Sequence, residues 1–94
     1  MNIDKLEIGD KVHVHYSFTD TSGLVSAYAT GHFNGGIDKE NDYILLRDGY
    51  YVMTTENNNV EKTSFEGYKI PLRFDPIILC ERLLIEDISS LAAV

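Results

Sequence analysis

Residues 12–19 alternate strictly between apolar and polar side chains, and this pattern restricts the fold more than any other part of the sequence. The apolar positions are Val12, Val14, Tyr16 and Phe18. A period of two is typical of a β-strand that buries one face and exposes the other to solvent. One-sided burial is in turn typical of antiparallel sheets. The segment therefore predicts a mainly β, antiparallel fold with its core on one side of a sheet.

Glycine, proline and aspartate divide the rest of the chain into further strands. Asp20–Gly23 predicts a turn, and residues 24–33 predict a return strand whose terminal glycines indicate a bulge or sharp bend. Asp48-Gly49 lies between two apolar runs and predicts a hairpin. Glu66-Gly67 predicts another turn, and Pro71 places the next strand at a sheet edge, because proline has no N–H for a ladder. The strands predicted after residue 33 cover residues 43–46, 50–55, 62–65 and 68–74.

The C-terminal segment has two interpretations. Asp75 and Pro76 are typical of a helix start, and the apolar residues that follow recur on one helical face, which favours a C-terminal helix over about residues 75–91. The alternative is a strand over residues 77–80 followed by a second strand over residues 83–85.

The composition indicates one small domain and disfavours several classes of partner. With 94 residues the chain has room for one core, so we expect a single domain over residues 1–94 with its β part at about 8–74. Its 15 acidic and 8 basic residues give a formal net charge of −7, and the basic residues are spread along the sequence. Nucleic acids and anionic membranes are both unfavourable partners for such a chain.

The single cysteine and the absence of long apolar stretches bear on the location. Cys80 cannot form a disulfide within the chain, which is unlike a disulfide-stapled secreted scaffold. No stretch reaches the ~20 apolar residues that a membrane span needs, and residues 1–7 contain no apolar signal core. We therefore expect a cytoplasmic protein, in the cytoplasm of the host cell if a phage encodes it.

Two stretches of the chain resemble SH3-like and Sm-like small β-barrels. Residues 8–12, Ile-Gly-Asp-Lys-Val, are similar to the segment through which SH3-like barrels enter their first strand. Residues 31–48 resemble the first Sm motif, in which a glycine bends the second strand and Asp and Asn side chains lie in the RNA-binding loop. The similar residues are Gly31-His32-Phe33-Asn34-Gly35, Ile37-Asp38, Asn41, Ile44, Leu46 and Asp48. The resemblance implies a small antiparallel barrel or a strongly bent sheet.

The resemblance to the first Sm motif covers about a fifth of the chain and departs from the family pattern in three places. One residue is inserted after Gly35, and Asn41 comes one place early. The second Sm motif, an Ile-Arg-Gly sequence in a late strand, is absent, since Phe74 rather than glycine follows Arg73. The resemblance therefore implies the fold class, and we carry no RNA-binding residue over from it.

Three histidines are the candidate metal ligands. His13 and His15 share one face of the predicted first strand, and His32 on the predicted neighbouring strand would complete a set of three nitrogen donors. The alternative interpretation is that all three are ordinary solvent-facing strand residues. We favour that alternative, and we expect no cofactor.

Acidic residues in one loop are candidate contacts for a partner protein. Asp38, Glu40 and Asp42 alternate there, but Tyr43 and Gly49 occupy the positions where a calcium-binding EF-hand loop needs glycine and glutamate. A solvated acidic loop suits contact with a basic protein.

Tyrosines next to this loop are further candidate contacts. Tyr43, Tyr50 and Tyr51 crowd one region of the sequence, and adjacent strand residues point to opposite faces, so one of Tyr50 and Tyr51 should face outward.

The C-terminal apolar residues predict self-association. They are too numerous for one face of a solvent-exposed helix, and a second copy of the chain would cover the excess. The candidate oligomer interface consists of Ile78, Leu79, Leu83 and Ile85.

The sequence contains no recognisable catalytic motif, so we expect a binding role rather than an enzyme. The leading hypothesis is a small acidic intracellular regulator or inhibitor that docks on another protein, of the kind that phages and mobile elements use against host defence. The alternatives are an oligomeric binder of a nucleotide-like small ligand, with a pocket between subunits, and an Sm-like RNA-binding protein.

Overall fold

The strict alternation of the first strand does produce a half-buried strand. The computed structural model describes residues 5–21, 23–35 and 42–85, and in it β1 runs over Lys11–Asp20. Val12, Val14 and Tyr16 are buried, whereas the residues between them are exposed or half-buried. The prediction of a mainly β, antiparallel fold is confirmed.

Five strands form one open sheet. β2 (Gly23–Phe33), β3 (Tyr43–Thr55), β4 (Val60–Pro71) and β5 (Ile77–Cys80) follow β1, and the order across the sheet is β4-β3-β2-β1-β5. Every neighbouring pair is antiparallel. β4 and β5 lie at opposite edges, so the described part of the chain is an open sheet and not a closed barrel. Pro71 ends an edge strand, as its missing N–H predicts.

One face of the sheet carries the core, and we call it the core face. Its completely buried side chains come from all five strands, so the core holds the whole sheet together. Leu6, Leu72, Phe74 and Leu83 from outside the strands pack against this face. The buried core residues are Val12, Val14, Tyr16, Ala27, Ala29, Phe33, Ile44, Leu46, Ile70, Ile78 and Cys80.

The hairpin predicted at Asp48-Gly49 is wrong, because β3 continues through these residues without reversing. Between Thr30 and His32 of β2, the pairing with β3 shifts by one residue, which is a β-bulge. Asp48 adopts the left-handed backbone conformation with φ 51°. A bulge thus uses the same residue types as a turn, and the chain keeps its direction.

The turn predicted at Glu66-Gly67 is also wrong, because these residues lie inside β4 opposite the bulge of β3. Arg47 pairs with Gly67, and Gly49 pairs with Phe65, so the ladder between β3 and β4 has no shift. In both strands, nevertheless, the core-facing residues are even-numbered on one side of this point and odd-numbered on the other. The core-facing residues are Ile44, Leu46, Tyr68 and Ile70 on one side of this point, and Tyr51, Met53 and Phe65 on the other. We call this pair of irregularities the matched bend.

The hairpin that joins β3 to β4 lies at residues 56–59, in the asparagine-rich segment. The N–H of Asn58 donates to the carbonyl of Thr55 at 2.9 Å, and Asn58 has φ 60°. Asparagine accepts this left-handed conformation more readily than most residues do.

The C-terminal helix begins later than predicted. Asp75 does not cap a helix start, since it ends a 3₁₀ turn over Leu72–Phe74 and has φ 53°. The strand alternative is correct for Ile77–Cys80, which pairs with β1 and buries Ile78 and Cys80. Residues 81–85 are helical (α1), so the second strand of that alternative is wrong. Residues predicted to be helical beyond 85 lie outside the described part.

A buried hydroxyl pair predicts sensitivity to alkali. The hydroxyl of Tyr16 is hydrogen-bonded to that of Tyr68, and burial raises the pKa of Tyr16 well above its usual value. In the unfolded chain Tyr16 ionises near pH 10, whereas the folded protein keeps it protonated. The contribution of Tyr16 to stability should therefore be constant below about pH 10 and fall as the pH rises above it.

Tyr16→Phe tests this expectation. The substitution should weaken the alkaline loss of stability and cost about 1 kcal/mol at neutral pH through the lost hydrogen bond. Urea unfolding midpoints on both sides of pH 10 measure the effect, with Tyr43→Phe as the control. An equal alkaline loss in wild type and Tyr16→Phe would contradict it.

Candidate binding surface

The face opposite the core face, which we call the open face, holds a different set of side chains. The register places the odd-numbered residues of β1 and the even-numbered residues of β2 on this face. In β3 the open-face residues are odd-numbered before the bulge and even-numbered after it. Its charged and aromatic strand side chains are Lys11, His13 and His15 on β1, Tyr28 and His32 on β2, Tyr43, Arg47 and Tyr50 on β3, and Lys62 and Lys69 on β4. All of them are basic, aromatic or imidazole groups.

The open face has the opposite charge balance to the whole chain. Among the described strands, Asp20 and Glu61 lie at core-face positions, while Asp48 and Glu66 lie at the matched bend. The acidic side chain that we find beside the open face is Glu81 of α1, which is 4.0 Å from the ammonium of Lys11. A chain of net charge −7 therefore sorts its charges so that one face is cationic.

A hydrogen-bonded cluster around His13 lies at the β5 side of the open face. The Nε2 atom of His13 is 3.0 Å from Oε1 of Glu81. Its Nδ1 atom is 2.8 Å from the hydroxyl of Tyr28 and 2.9 Å from that of Thr30. The Thr30 hydroxyl donates to the Tyr28 hydroxyl at 2.7 Å. The four side chains come from β1, β2 and α1.

The partner of Nε2 assigns the proton on that atom. An ionised carboxylate only accepts, so Nε2 of His13 donates to Glu81, while Nδ1 lies within hydrogen-bond distance of the Tyr28 and Thr30 hydroxyls. The hydrogen bond from His13 lowers the pKa of Glu81, and Lys11 adds to the effect. Thr30 is only 8% exposed, and its hydroxyl proton is already donated, so it is poorly placed to act as a nucleophile. The cluster holds the Tyr28 ring in one orientation.

Rings and cations continue from this cluster across the sheet. The Tyr28 ring lies 4.7 Å from that of His15 and 6.5 Å from that of Tyr50, measured between centroids. The ammonium of Lys62 lies 4.5 Å from the Tyr50 ring centroid. A second cation–π pair, Lys69 with Tyr43, lies at 5.5 Å.

The three candidate contact tyrosines lie on different faces of the sheet. Tyr43 and Tyr50 lie on the open face, whereas the ring of Tyr51 stacks on those of Tyr68 and Phe65 at 5.0 and 6.5 Å. The expectation that only one of the adjacent pair faces away from the core is confirmed, and Tyr50 is that residue. Tyr51 is half-buried and packs on the core face.

The three candidate metal ligands share the open face but have other neighbours. His32 pairs with Lys11, and His15 pairs with Tyr28. Within residues 5–21, 23–35 and 42–85, no group of three or more His, Cys, Asp or Glu side chains is placed to hold a metal ion. Both ring nitrogens of His13 have protein partners, so that side chain has a structural explanation.

The candidate acidic loop is described only at its end. Asp38 and Glu40 lie outside the described residues. Asp42 is exposed, and its backbone carbonyl accepts a hydrogen bond from the N–H of Leu72 at 2.8 Å. This contact joins the start of β3 to the end of β4.

The candidate oligomer residues differ strongly in exposure. Ile78 is only 6% exposed and belongs to the core of its own chain, so its assignment to an interface is wrong. The reason is that β5 is a strand whose alternate residues face inward. Leu83 packs against the same core, while Leu79 and Ile85 are 39% and 64% exposed.

Sequence reasoning missed Tyr28, Thr30 and Glu81. A signal for the first two was present, because a two-residue turn after Asp20 pairs that residue with Gly23. Counting back along both strands then places Thr30 opposite His13 and Tyr28 opposite His15. Glu81 had no comparable signal, since its position depends on β5.

Comparisons with other proteins add no relative. No family model matches the chain, and no curated protein or solved structure is significantly similar to it. Among the described residues, no helix is long and apolar enough to cross a membrane.

Proposed function

We propose that this chain is a non-catalytic binding module that docks on an acidic surface of another protein through its open face. The observation that carries the proposal is the separation of charge. Lys11, Arg47, Lys62 and Lys69 lie on one face of a chain whose net charge is −7. Net charge away from zero supports solubility, whereas a local patch of opposite sign selects and orients a partner.

The rings on this face support a protein partner. Tyr28 and Tyr50 present rigid apolar surfaces with polar tips, which are enriched at the centres of protein interfaces. The hydrogen bonds that join Tyr28 to His13 and Thr30 hold its ring in place before any partner arrives. A contact group that is already ordered loses little conformational entropy on binding.

The proposal keeps the binding role expected from the sequence and reverses the charge of the partner. The sequence hypothesis used an acidic loop against a basic protein. The open face instead suits carboxylate-rich segments, which pair with Lys and Arg side chains. Regulation or inhibition of the docked protein, of the kind that phage accessory proteins perform, remains part of the proposal.

A single-stranded nucleic acid is the second candidate, favoured by a specific observation. Lys62 beside Tyr50 and Lys69 beside Tyr43 place a cation next to an aromatic ring twice on one face. Proteins that bind single strands combine a cationic surface for phosphates with rings on which bases stack. The overall charge of −7 opposes this candidate.

Charge reversal on matched faces tests the proposal. A photo-crosslinking residue at the exposed open-face position Ser64 would capture the partner in cells, and capture would be compared with Lys62→Glu and Lys5→Glu variants. Lys5 is exposed and lies outside the strands, so both variants change the net charge equally. We expect Lys62→Glu to weaken binding about tenfold and Lys5→Glu to leave it nearly unchanged.

Purified partner then distinguishes the outcomes. Binding that falls with salt and with Lys62→Glu alone supports docking through the open face. Equal loss in both variants would mean that net charge and not this face governs binding, and would refute the proposal. Binding of a single-stranded oligonucleotide at low salt, abolished by Lys62→Glu, would favour the second candidate instead.

A further inference from the structure

The outer edge of β1 is covered over only part of its length. β5 pairs with residues 12–15 of β1 and begins at Ile77. It does not extend further because Pro76 has no N–H and Asp75, with φ 53°, turns the chain away from the sheet. Residues 16–19 of β1 pair with β2 on one side, and no described strand pairs with them on the other.

The hydrogen bonds at the start of β1 show which backbone groups point outward. The N–H of Phe33 on β2 donates to the carbonyl of Asp10 at 2.8 Å. In an antiparallel pair, alternate residues exchange hydrogen bonds with a given neighbour, so the even-numbered residues of β1 bond to β2. The N–H and C=O groups of Ser17 and Thr19 therefore point away from β2, toward the uncovered edge.

This edge lacks the protection that the sheet has elsewhere. β4, the opposite edge strand, carries charged side chains such as Lys62 and ends at Pro71, and both features discourage strand pairing. Ser17, Phe18 and Thr19 carry no charge, and Phe18 and Thr19 favour strand conformation. A groove of about 270 Å³ lies beside Tyr16 and Ser17, bounded by Phe74 and Ile77, so there is space next to this part of the edge.

We propose that this edge pairs with the same edge of a second copy of the chain, in an antiparallel dimer with a twofold axis at Phe18. In this register Ser17 of one copy lies opposite Thr19 of the other, and each such pair exchanges both N–H···O=C bonds. The segment is self-complementary because its two outward-facing residues are equally distant from Phe18. Pairing Ser17 with Ser17 would place Thr19 of the second copy opposite His15, which Ile77 already occupies.

The side chains agree with this register. Phe18 is half-buried, and its ring stacks on that of Phe74 with centroids 5.5 Å apart. Across the twofold axis it would meet Phe18 of the second copy on the core-face side. Ser17 and Thr19 hydroxyls would face each other on the open-face side, where Thr–Ser pairs are favourable. Two copies of net charge −7 repel each other, so the association should strengthen as salt rises.

Sedimentation equilibrium of the full chain tests the dimer with two variants of one residue. Thr19→Pro removes the outward N–H without removing a bond to β2, whereas Thr19→Val keeps the N–H and changes only the hydroxyl. We expect wild type and Thr19→Val to dimerise more tightly at higher salt, and Thr19→Pro to associate at least about tenfold more weakly. Monomeric wild type at every concentration, or equal association of Thr19→Pro and wild type, would overturn the proposal.

Amide hydrogen exchange of the wild type gives a second test that does not depend on the folding of Thr19→Pro. The amides of Ser17 and Thr19 should become more protected as the protein concentration rises, while the amide of Gly67 should not change. Protection of both amides that is already complete in dilute monomer would overturn the proposal, since another segment of the same chain would then cover the edge. This test is independent of the open-face proposal, which does not involve the edge.

Discussion

Replacing Gly49 by alanine is expected to destabilise the fold by about 3 kcal/mol or more, or to prevent folding. A Cβ atom at this position would overlap the carbonyl oxygen of Thr30 and lie 2.8 Å from the Cα of Gly31. Both are backbone atoms of β2, so a side-chain rotation cannot relieve the overlap. β3 would have to move away from β2 at the bulge, which breaks hydrogen bonds of the central ladder.

Gly67→Ala is the matched control for this prediction. Gly67 lies at the same level of the matched bend, on β4, and a Cβ there would meet no atom within 4 Å. Its substitution should change stability by about 0.5 kcal/mol or less, or increase it slightly through the unfolded state. Urea unfolding followed by circular dichroism measures both variants. Similar losses at the two positions would show that the close approach of β2 and β3 is not what requires Gly49.

Arg82→Met is expected to destabilise the protein by about 2 kcal/mol near neutral pH. The guanidinium of Arg82 donates from Nε to Oδ1 of Asp10 at 2.9 Å and from Nη2 to Oδ2 at 3.0 Å. The Asp10 side chain is only 9% exposed, and its other polar contacts include the N–H of Glu7 at 2.8 Å. Removal of Arg82 leaves this poorly solvated carboxylate without its charged partner.

The stability lost in Arg82→Met should be larger near neutral pH than in acid. The hydrogen bonds from Arg82 lower the pKa of Asp10 from 3.8 to about 2. A depressed folded-state pKa stabilises the protein above the unfolded pKa, and this contribution disappears as the pH falls from about 4 toward 2. We expect this pH-dependent contribution of Asp10 to the free energy of unfolding to be about 1–2 kcal/mol after allowance for solvent screening.

Stability measured at pH 6 and at pH 2 checks the expectation for Arg82. Wild type and Arg82→Met should differ clearly at pH 6 and much less at pH 2. Arg73→Met, at an exposed arginine whose guanidinium lies over Phe74, serves as the control and should cost little at either pH. A difference between wild type and Arg82→Met that stays constant across this range would contradict the role of Asp10.

The strands and their pairing could be predicted from the sequence wherever burial is one-sided. β1 follows from its alternation, and a two-residue turn after Asp20 fixes the register with β2. The bulge at Asp48-Gly49 could not be told from a hairpin turn, because the left-handed Asp48 and the close approach of β2 to Gly49 select the same Asp-Gly pair that a tight turn does. Only the pairing with β2 and β4 shows that β3 continues through this point.

The candidate surface was less predictable, because it depends on which elements meet. His13 was recognised, but its partner Glu81 lies 68 positions away and approaches it only when residues 77–80 pair with β1. The spread of basic residues along the sequence also concealed their common face. The parity change in β3 is what puts Tyr50 on the same face as Tyr28, and no local pattern indicates it.

The matched bend has a consequence for how this protein can change over evolutionary time. One extra residue in β3 and one in β4 stand opposite each other, and together they keep the ladder between these strands in register. Loss of a single codon in one strand alone would leave the extra residue of the other strand unmatched, so the pairing between β3 and β4 would shift by one residue on one side of the bend. Insertions and deletions at this point should therefore be inherited in pairs, one in each strand, so any distant homologue should have both extra residues or neither.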